Sequence, residues 1–468
     1  MEQPMEIIPS VVYWAPGLDP CLRKRTLNYV NALEVGHSDG EVATYRVPHY
    51  GDAMLRAFGP FALDEILRFC RGVHSIVHFN TEVDIDEPLD RHFEHAVVAK
   101  LPLCLTTALG DSKAHTNACV LLGAYLILCE NWSASEVANK LGKDDSERVF
   151  RGSWVESWVL KVSHCWEGLM AARDHGWIDL DCLRDDALLE TTCEQFKTMA
   201  YTYDCAWLVP SKILISADPI TTLCDPNPQT FTGLWEDDDD VSTIASTRDT
   251  TTSSPCVSTD DSPARSEFPE SDIPTFFHPM SCVEPSQSEL EALHTPTKQC
   301  SYAERKTQSF RGFLQDCGVS LVIRNNLPGE RGMPRESYDG VHWKTYDIEH
   351  IDLQFCDGAV PPQSVISSAL SSSLSMLESD LGAILVHCKG GLGRSVTLAC
   401  CLACYKYDIP GSALLGWARI TRPGAFNTVR QEEFLLSLGG RVDILRLANK
   451  HRDGADLGAK VSCGCVLQ

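Results

Sequence analysis

The densest chemistry in this sequence lies in His387-Cys388-Lys389-Gly390-Gly391-Leu392-Gly393-Arg394-Ser395. A cysteine opens a glycine-rich loop, an arginine closes it, and a hydroxyl follows. Such a loop turns successive backbone N–H groups toward one point, and a helix starting at its end aims the positive end of its dipole there too. This cradle holds a phosphate dianion and favours the thiolate of Cys388, the form in which sulfur is a nucleophile. Arg394 can grip two phosphate oxygens at once with its planar fork. The predicted chemistry is attack of Cys388 on a phosphate ester.

The flanking elements suit that task. Ala383-Ile384-Leu385-Val386 reads as a buried strand leading into the loop, and 396–405 reads as an Ala/Cys/Leu helix leaving it. Expelling a seryl, threonyl or tyrosyl oxygen from phosphorus requires a proton, so a carboxyl group is needed nearby. Ile351-Asp352-Leu353-Gln354-Phe355-Cys356 reads as a second strand delivering Asp357-Gly358 into the Pro-containing loop 359–362. If the two strands are parallel, Asp357 lies at the end beside the cradle and acts as acid, then as base for the hydrolytic water; Asp352, at the strand start, is its rival. Val319-Ser320-Leu321-Val322-Ile323 and Lys212-Ile213-Leu214-Ile215 read as further strands, with a short helix at 310–316.

The whole chain has 468 residues, enough for two or three domains, and 44% apolar content, enough for ordinary packed cores. A net charge of −24 argues against nucleic acid as a partner and favours basic peptides or proteins. No signal peptide is expected, and the apolar run 118–129 is too short to span a bilayer. The 21 cysteines show no regular framework and read as reduced thiols of the cytoplasm or nucleus. Cys401 and Cys404 form an isolated CxxC within an apolar helix, which indicates core packing; no metal and no cofactor is required by the chemistry above.

The first 200 residues read as a separate α/β unit. Leu63, Ile66, Leu67 and Cys70 give a helical stripe. The strand-like stretch 97–105, a loop at 106–111 and an apolar helix at 117–130 repeat the layout of the cradle without its chemistry, because Gly110 stands where Cys104 would need an arginine. This unit is expected to bind or scaffold. From 225 to 300 the run Glu236-Asp237-Asp238-Asp239-Asp240 and abundant Ser, Thr and Pro mark a disordered insert. Within it Ser262-Pro263-Ala264-Arg265 and Thr295-Pro296-Thr297-Lys298 resemble sites of cyclin-dependent kinases, so Ser262 and Thr295 are expected phosphosites and such a kinase a regulator.

The chain resembles the cell-division-cycle fourteen family of dual-specificity phosphatases, through Phe58-Gly59-Pro60, Asn117-Ala118-Cys119-Val120-Leu121-Leu122-Gly123-Ala124-Tyr125, His175-Gly176, Trp207-Leu208-Val209-Pro210, Asp357-Gly358, the Cys388 loop, Trp417-Ala418-Arg419-Ile420, Arg422-Pro423-Gly424 and Gln431-Glu432-Glu433-Phe434-Leu435. The resemblance implies an α/β fold of two tandem phosphatase-like domains, each a central, mostly parallel sheet flanked by helices, with only the second catalytic. The expected division is 1–200 for the first, 201–224 for the crossing, 225–300 for the insert, 301–448 for the catalytic domain and 449–468 for a tail. It also implies that Ser395 assists the thiolate as leaving group, that Gln431 orients the hydrolytic water and that His387 fixes the loop. Family substrates carry phosphoserine followed by Pro with a basic residue beyond, read by an acidic groove between the domains. Asp204 aligns with one groove acid; Glu190 and Glu194 are offered in a looser register. Gly390 in place of Ala, and Val396 in place of Gly, depart from the family pattern.

At the end of the chain Cys465-Val466-Leu467-Gln468 fits a prenylation box, with Cys463 a possible palmitate site, so membrane attachment through lipid is an expectation. Three functions remain open at this stage. A protein phosphatase with roles in cell-cycle or cilium regulation is favoured. A phosphoinositide phosphatase is suggested by the lipidated end and Lys389, although Leu392 stands where relatives of the phosphatase-and-tensin type carry a second Lys. A silent phosphoprotein-binding scaffold is the third.

Overall fold

A computed structural model describes residues 4–17, 27–33, 35, 58–78, 102–151, 159–219, 310–330, 338, 340–379 and 382–454. The insert with Ser262 and Thr295, the tail with Cys463 and Cys465, and the stretch 97–101 lie outside the described residues.

The described strands form two sheets. The first contains β1 (Met5–Ile8), β2 (Val12–Ala15), β3 (Asn28–Asn31) and β4 (Leu103–Thr106) in the order β1-β2-β4-β3, with only the β1/β2 pair antiparallel. Helices α1 (Leu63–His78), α2 (Ser112–Leu128), α3 (Ala134–Leu141), α4 (Val162–Asp174) and α5 (Asp186–Thr202) accompany it. The apolar positions foreseen for α1 are in place: Ile66, Leu67 and Cys70 are fully buried, with Phe69 and Val73 beside them. Helix α2 is apolar on nearly every face because it runs through the centre of the core, and the Asp111 side chain caps its start by accepting the Ala114 N–H at 2.9 Å.

The second sheet contains β5 (Cys205–Val209), β6 (Ile213–Ser216), β7 (Val319–Arg324), β8 (Glu349–Asp352) and β9 (Ala383–His387) in the order β5-β6-β9-β7-β8. Only β5/β6 is antiparallel, so β6, β9, β7 and β8 all run the same way. Strand β9 is central and wholly buried: Ile384 and Val386 belong to the large core, Ala383 and Leu385 to a smaller core on the other face that includes Trp343 and Phe310. That double burial is why the strand is a continuous apolar run and not an alternating one. Helices α6 (Gln363–Glu378), α7 (Arg394–Tyr407), α8 (Gly411–Thr421), α9 (Val429–Leu436) and α10 (Arg441–Gly454) complete the unit.

The two units share one core. Helix α4 of the first crosses α8 of the second at backbone contact distance. A Cβ on Gly168 would stand 2.6 Å from the Trp417 amide nitrogen, and one on Gly416 would stand 2.1 Å from the His164 carbonyl oxygen. Ser412 donates to Glu167 across the same seam at 2.6 Å, and the Trp417 indole donates to the Leu208 carbonyl at 2.7 Å.

Two expectations need correcting. Strand β8 ends at Asp352 and does not start there, so both acidic rivals follow the same strand end. In the first unit Cys104 lies in the middle of β4 and is fully buried; the residue just past the strand, in the position Cys388 occupies after β9, is Thr107. Its hydroxyl oxygen accepts the Gly17 N–H at 3.1 Å. The echo of the cradle is therefore real in layout but shifted in register, and it ends on a helix opening with Ser112 where α7 opens with Arg394.

Candidate active site

Cys388 immediately follows β9 and is 2% exposed at the base of the loop. Its Sγ lies 3.4 Å from the Ser395 hydroxyl. The loop is held from outside. The Lys389 carbonyl accepts the Asp218 N–H at 2.9 Å, Arg422 donates to the carbonyls of Gly390 at 3.2 Å and Gly391 at 3.3 Å, and the Leu392 carbonyl accepts the Phe426 N–H at 2.7 Å. With four successive carbonyls turned outward, the N–H groups of the same peptide planes turn inward, which makes the anion cradle. Gly391 is required: its φ is +66°, and a Cβ there would meet the Ser216 carbonyl carbon at 2.4 Å. No side chain caps the start of α7 at Gly393, so the helix dipole opens onto the loop.

Arg394 is the first residue of α7, and its side chain is fully buried. It makes two 2.7 Å hydrogen bonds to the Glu330 carboxylate and one of 3.2 Å to the Phe355 carbonyl, and its Nε lies 3.2 Å from Asp357 Oδ1. Burial alone would lower its pKa, but the Glu330 hydrogen bonds and the acidic neighbourhood outweigh it, so the guanidinium is held charged.

Asp357 reaches this cluster from the loop after β8 with 61% of its side chain exposed. The turn needs Gly358 at φ +69°, whose N–H donates to Asp357 Oδ1 at 3.0 Å. Two residues at the start of α9 clamp the turn: Thr428 donates to the Gly358 carbonyl at 2.8 Å, and Gln431 donates to the Ala359 carbonyl at 3.1 Å. The Gln431 side chain is fully buried against Gly393, between the acid turn and the cradle. Asp352 is excluded as the acid because both its oxygens are engaged by Arg324, at 2.5 and 3.0 Å.

His387 is fully buried at the end of β9. Its Nε2 meets the Tyr338 hydroxyl at 2.5 Å, which also contacts His350 at 3.1 Å, and its Nδ1 lies 3.9 Å from Asp218. Burial, reinforced by the nearby His350 and Arg324, pushes its pKa down to about 3, so the imidazole is neutral and serves to fix the strand end.

The three groove acids are not equivalent. Glu190 and Glu194 lie on α5 and line a shallow groove with Thr191, Met199, Tyr203 and Phe313. Glu190 is already paired with Arg68 at 2.8 Å, and Glu194 is 3.8 Å from Lys197. The expectation for Asp204 is corrected: it is 3% exposed and bound to the buried Arg422 at 2.6 Å, so its charge supports the cradle from behind and is closed to a substrate. Cys401 and Cys404 are both buried in α7.

Sequence reasoning missed Asp218, Glu330 and Tyr338, and singled out Arg422 only within a family motif, without a role. The first two had a usable signal, since each follows a recognised strand, β6 and β7, and the carboxyl ends of parallel strands gather around the site in open α/β sheets. Tyr338 and Arg422 come from loops whose return to the cradle is a matter of tertiary packing.

A family model described as the N-terminal half of dual specificity protein phosphatases matches residues 41–172. Mouse CDC14A, a dual specificity protein phosphatase, is 32% identical over 353 residues, which cover 74% of this chain and 43% of the mouse protein. The Caenorhabditis elegans tyrosine-protein phosphatase cdc-14 is 21% identical over 383 residues, covering 81% of this chain and 39% of the relative. This chain is similar to these CDC14 phosphatases over most of its own length and spans 39% to 43% of theirs. Among solved structures, a tyrosine phosphatase from Leishmania major, itself described as putative, is 24% identical and covers 28% of this chain and 80% of its own, at a TM-score of 0.25. Kinase associated phosphatase is 21% identical and covers 33% and 79%, at a TM-score of 0.26.

Proposed function

We propose that the chain is a cysteine-dependent dual-specificity protein phosphatase, acting on phosphoserine and phosphothreonine in Ser-Pro-type sites with a basic residue downstream and on phosphotyrosine. The observation that carries this reading is the convergence of Cys388, Arg394 and Asp357 around one glycine-rich cradle, with Arg394 Nε and Asp357 Oδ1 at 3.2 Å. The phosphoryl group sits on the inward N–H groups and Arg394. Cys388 Sγ attacks phosphorus in line with the ester oxygen, and Asp357 gives that oxygen a proton as the P–O bond breaks. Asp357, now a carboxylate, takes a proton from water as the water attacks phosphorus, and the thiolate leaves with Ser395 as its hydrogen-bond donor. Gln431, between the acid turn and the loop, is placed to hold that water.

Downstream basic residues would lie toward Glu190 and Glu194, and a net charge of −24 favours such substrates. Against a phosphoinositide substrate, Leu392 is 2% exposed and offers no second cation to a polyanionic headgroup. Regulation of the cell cycle or cilium, phosphorylation of Ser262 and Thr295 by a cyclin-dependent kinase, lipidation at Cys465 and Cys463, and residence in cytoplasm, nucleus or on a membrane accompany the proposal.

The test is phosphate release from a pSer-Pro-x-Lys peptide, its pSer-Ala variant and a phosphoinositide. The peptide with Pro is expected to be turned over best. Cys388→Ser removes the activity, and Asp357→Asn lowers kcat by about 10²–10⁴-fold on substrates with a poor leaving group. Release from the lipid alone overturns the substrate assignment; absence of release from any substrate supports the scaffold.

A further inference from the structure

Outside the cradle, one cluster in the first unit combines side chains whose chemistry the phosphatase reaction does not use. His115 and Cys119 are four residues apart on α2 and share one face of the helix. Asp145, from the short helix Lys143–Ser146, faces them, and His115 Nε2, Cys119 Sγ and an Asp145 oxygen all lie within 4.8 Å of one another. It is the one group of three such donors among the described residues.

From these observations we propose a zinc site in the first unit, with His115 Nε2, Cys119 Sγ and Asp145 as three ligands and water in the fourth position. One imidazole nitrogen, one thiolate and one carboxylate are a donor set that tetrahedral Zn²⁺ accepts, and three protein ligands leave one place open. His115 Nε2 lies 3.0 Å from Asp145 Oδ1, so without a metal the two side chains pair directly, and an ion would take the place of the proton between them. The Asp145 carboxylate is oriented by the Trp14 indole at 3.4 Å, while Arg148, at 3.1 Å, is the cation a metal would compete with. Cys119 is fully buried.

Binding Zn²⁺ releases one proton from Cys119, and the two anionic ligands then neutralise the metal's charge, which is the condition for holding an ion in so dry a place. With Zn–N and Zn–O near 2.0–2.2 Å and Zn–S near 2.3 Å, ligand atoms of a tetrahedral site stand about 3.3–3.8 Å apart, so donors within 4.8 Å of one another need shifts of about 1 Å or less, the His115–Asp145 pair at 3.0 Å opening slightly to admit the ion. The exposed edge of His115, 20% of its side chain, is the route in. The site joins the first two turns of α2 to the short helix Lys143–Ser146 beside Trp14 of β2, so the metal would fasten these three elements together.

The experiment uses the full chain with Cys388→Ser, which removes the reactive thiolate as a competing ligand, stripped of metal under a phosphine reductant. Zn²⁺ is titrated against a chromophoric chelator, and Co²⁺ is added separately to read thiolate charge transfer in the near ultraviolet. One equivalent of Zn²⁺ is expected to bind and to raise the melting temperature. His115→Ala and Cys119→Ser should each weaken binding by about 100-fold or more and abolish the thermal shift, and Cys119→Ser should remove the Co²⁺ band. Arg148→Gln should instead tighten binding several-fold, because it removes a cation from beside Asp145; a variant that merely unfolds cannot do this. Zinc affinity unchanged in all three variants, or binding no tighter in the parent than in His115→Ala, overturns the proposal.

Discussion

In the proposed reaction Arg394 must be free to grip a phosphate, yet it is fully buried and doubly bonded to Glu330. A buried guanidinium that loses its carboxylate partner is an uncompensated charge, and breaking such a pair costs about 3–5 kcal/mol. Glu330→Ala is therefore expected to lower stability by roughly 3 kcal/mol in urea unfolding, near the lower end of that range because Asp357 and the Phe355 carbonyl remain. Tungstate, a phosphate-like dianion, should restore part of the loss in this variant by giving Arg394 a new counter-charge. The second residue-scale prediction concerns His387. Its pKa is lowered to about 3 in the folded protein, against about 6.5 unfolded, so between those values the unfolded chain binds a proton that the native state refuses. The stability this contributes is complete above about pH 6.5 and is lost as pH falls toward 3, with a slope of about 1.4 kcal/mol per pH unit. His164, lowered to about 4 by burial, adds a second such term, so the measurement is a difference: His387→Asn should flatten the pH dependence of unfolding relative to the parent by about one proton.

At the scale of elements, the seam between the units is a crossing of α4 and α8 made possible by two glycines. Because a Cβ on Gly416 would approach the His164 carbonyl at 2.1 Å, and the obstacle is backbone, no rotamer change can relieve it. Gly416→Ala is expected to destabilise by about 1–3 kcal/mol or more and to separate the two units into distinct calorimetric transitions. A single transition at the parent's temperature would show that the seam is not what couples them. The same crossing presents Trp417 to the Leu208 carbonyl beside β6, so loosening it should also reduce kcat, although neither glycine is near Cys388 in sequence. Much of this architecture was legible: the apolar runs at β6, β7 and β9, the loop at 388–393 and the apolar helix after it all follow from period and composition. The bounds of β8 were not. Leu353 and Phe355 extend the apolar alternation past the end of the strand, packing on the core while their N–H groups still donate to the Arg324 and Asn325 carbonyls at 2.9 and 3.2 Å, so the chain follows β7 beyond the regular ladder.

For the molecule as a whole, the charge of −24 makes association with a cationic peptide an ionic-strength-dependent step. Between about 50 and 300 mM salt, kcat/KM for a pSer-Pro-x-Lys peptide is expected to fall several-fold, with less change for a peptide in which the Lys is replaced by Ala. Equal salt dependence for both would sever the link between charge and selectivity.

The sequence by itself determined the anion cradle of this protein. Cys388, three loop glycines, Arg394 and the strand and helix around them are contiguous, and the physics of an anion cradle is local: N–H groups, a helix start and one cation within a few residues. Only the tertiary structure decided which carboxylate does what. Asp352, Asp357, Glu330, Asp218 and Asp204 are all acids near strand ends in the chain. Arg324 engages the first, the clamped turn from Thr428 and Gln431 leaves the second exposed beside Arg394, Glu330 and Asp204 hold Arg394 and Arg422, and the Asp218 carboxylate accepts from Asn326. A carboxylate's role is set by the cation and the burial it meets, and those partners arrive from segments 28 to 218 residues away.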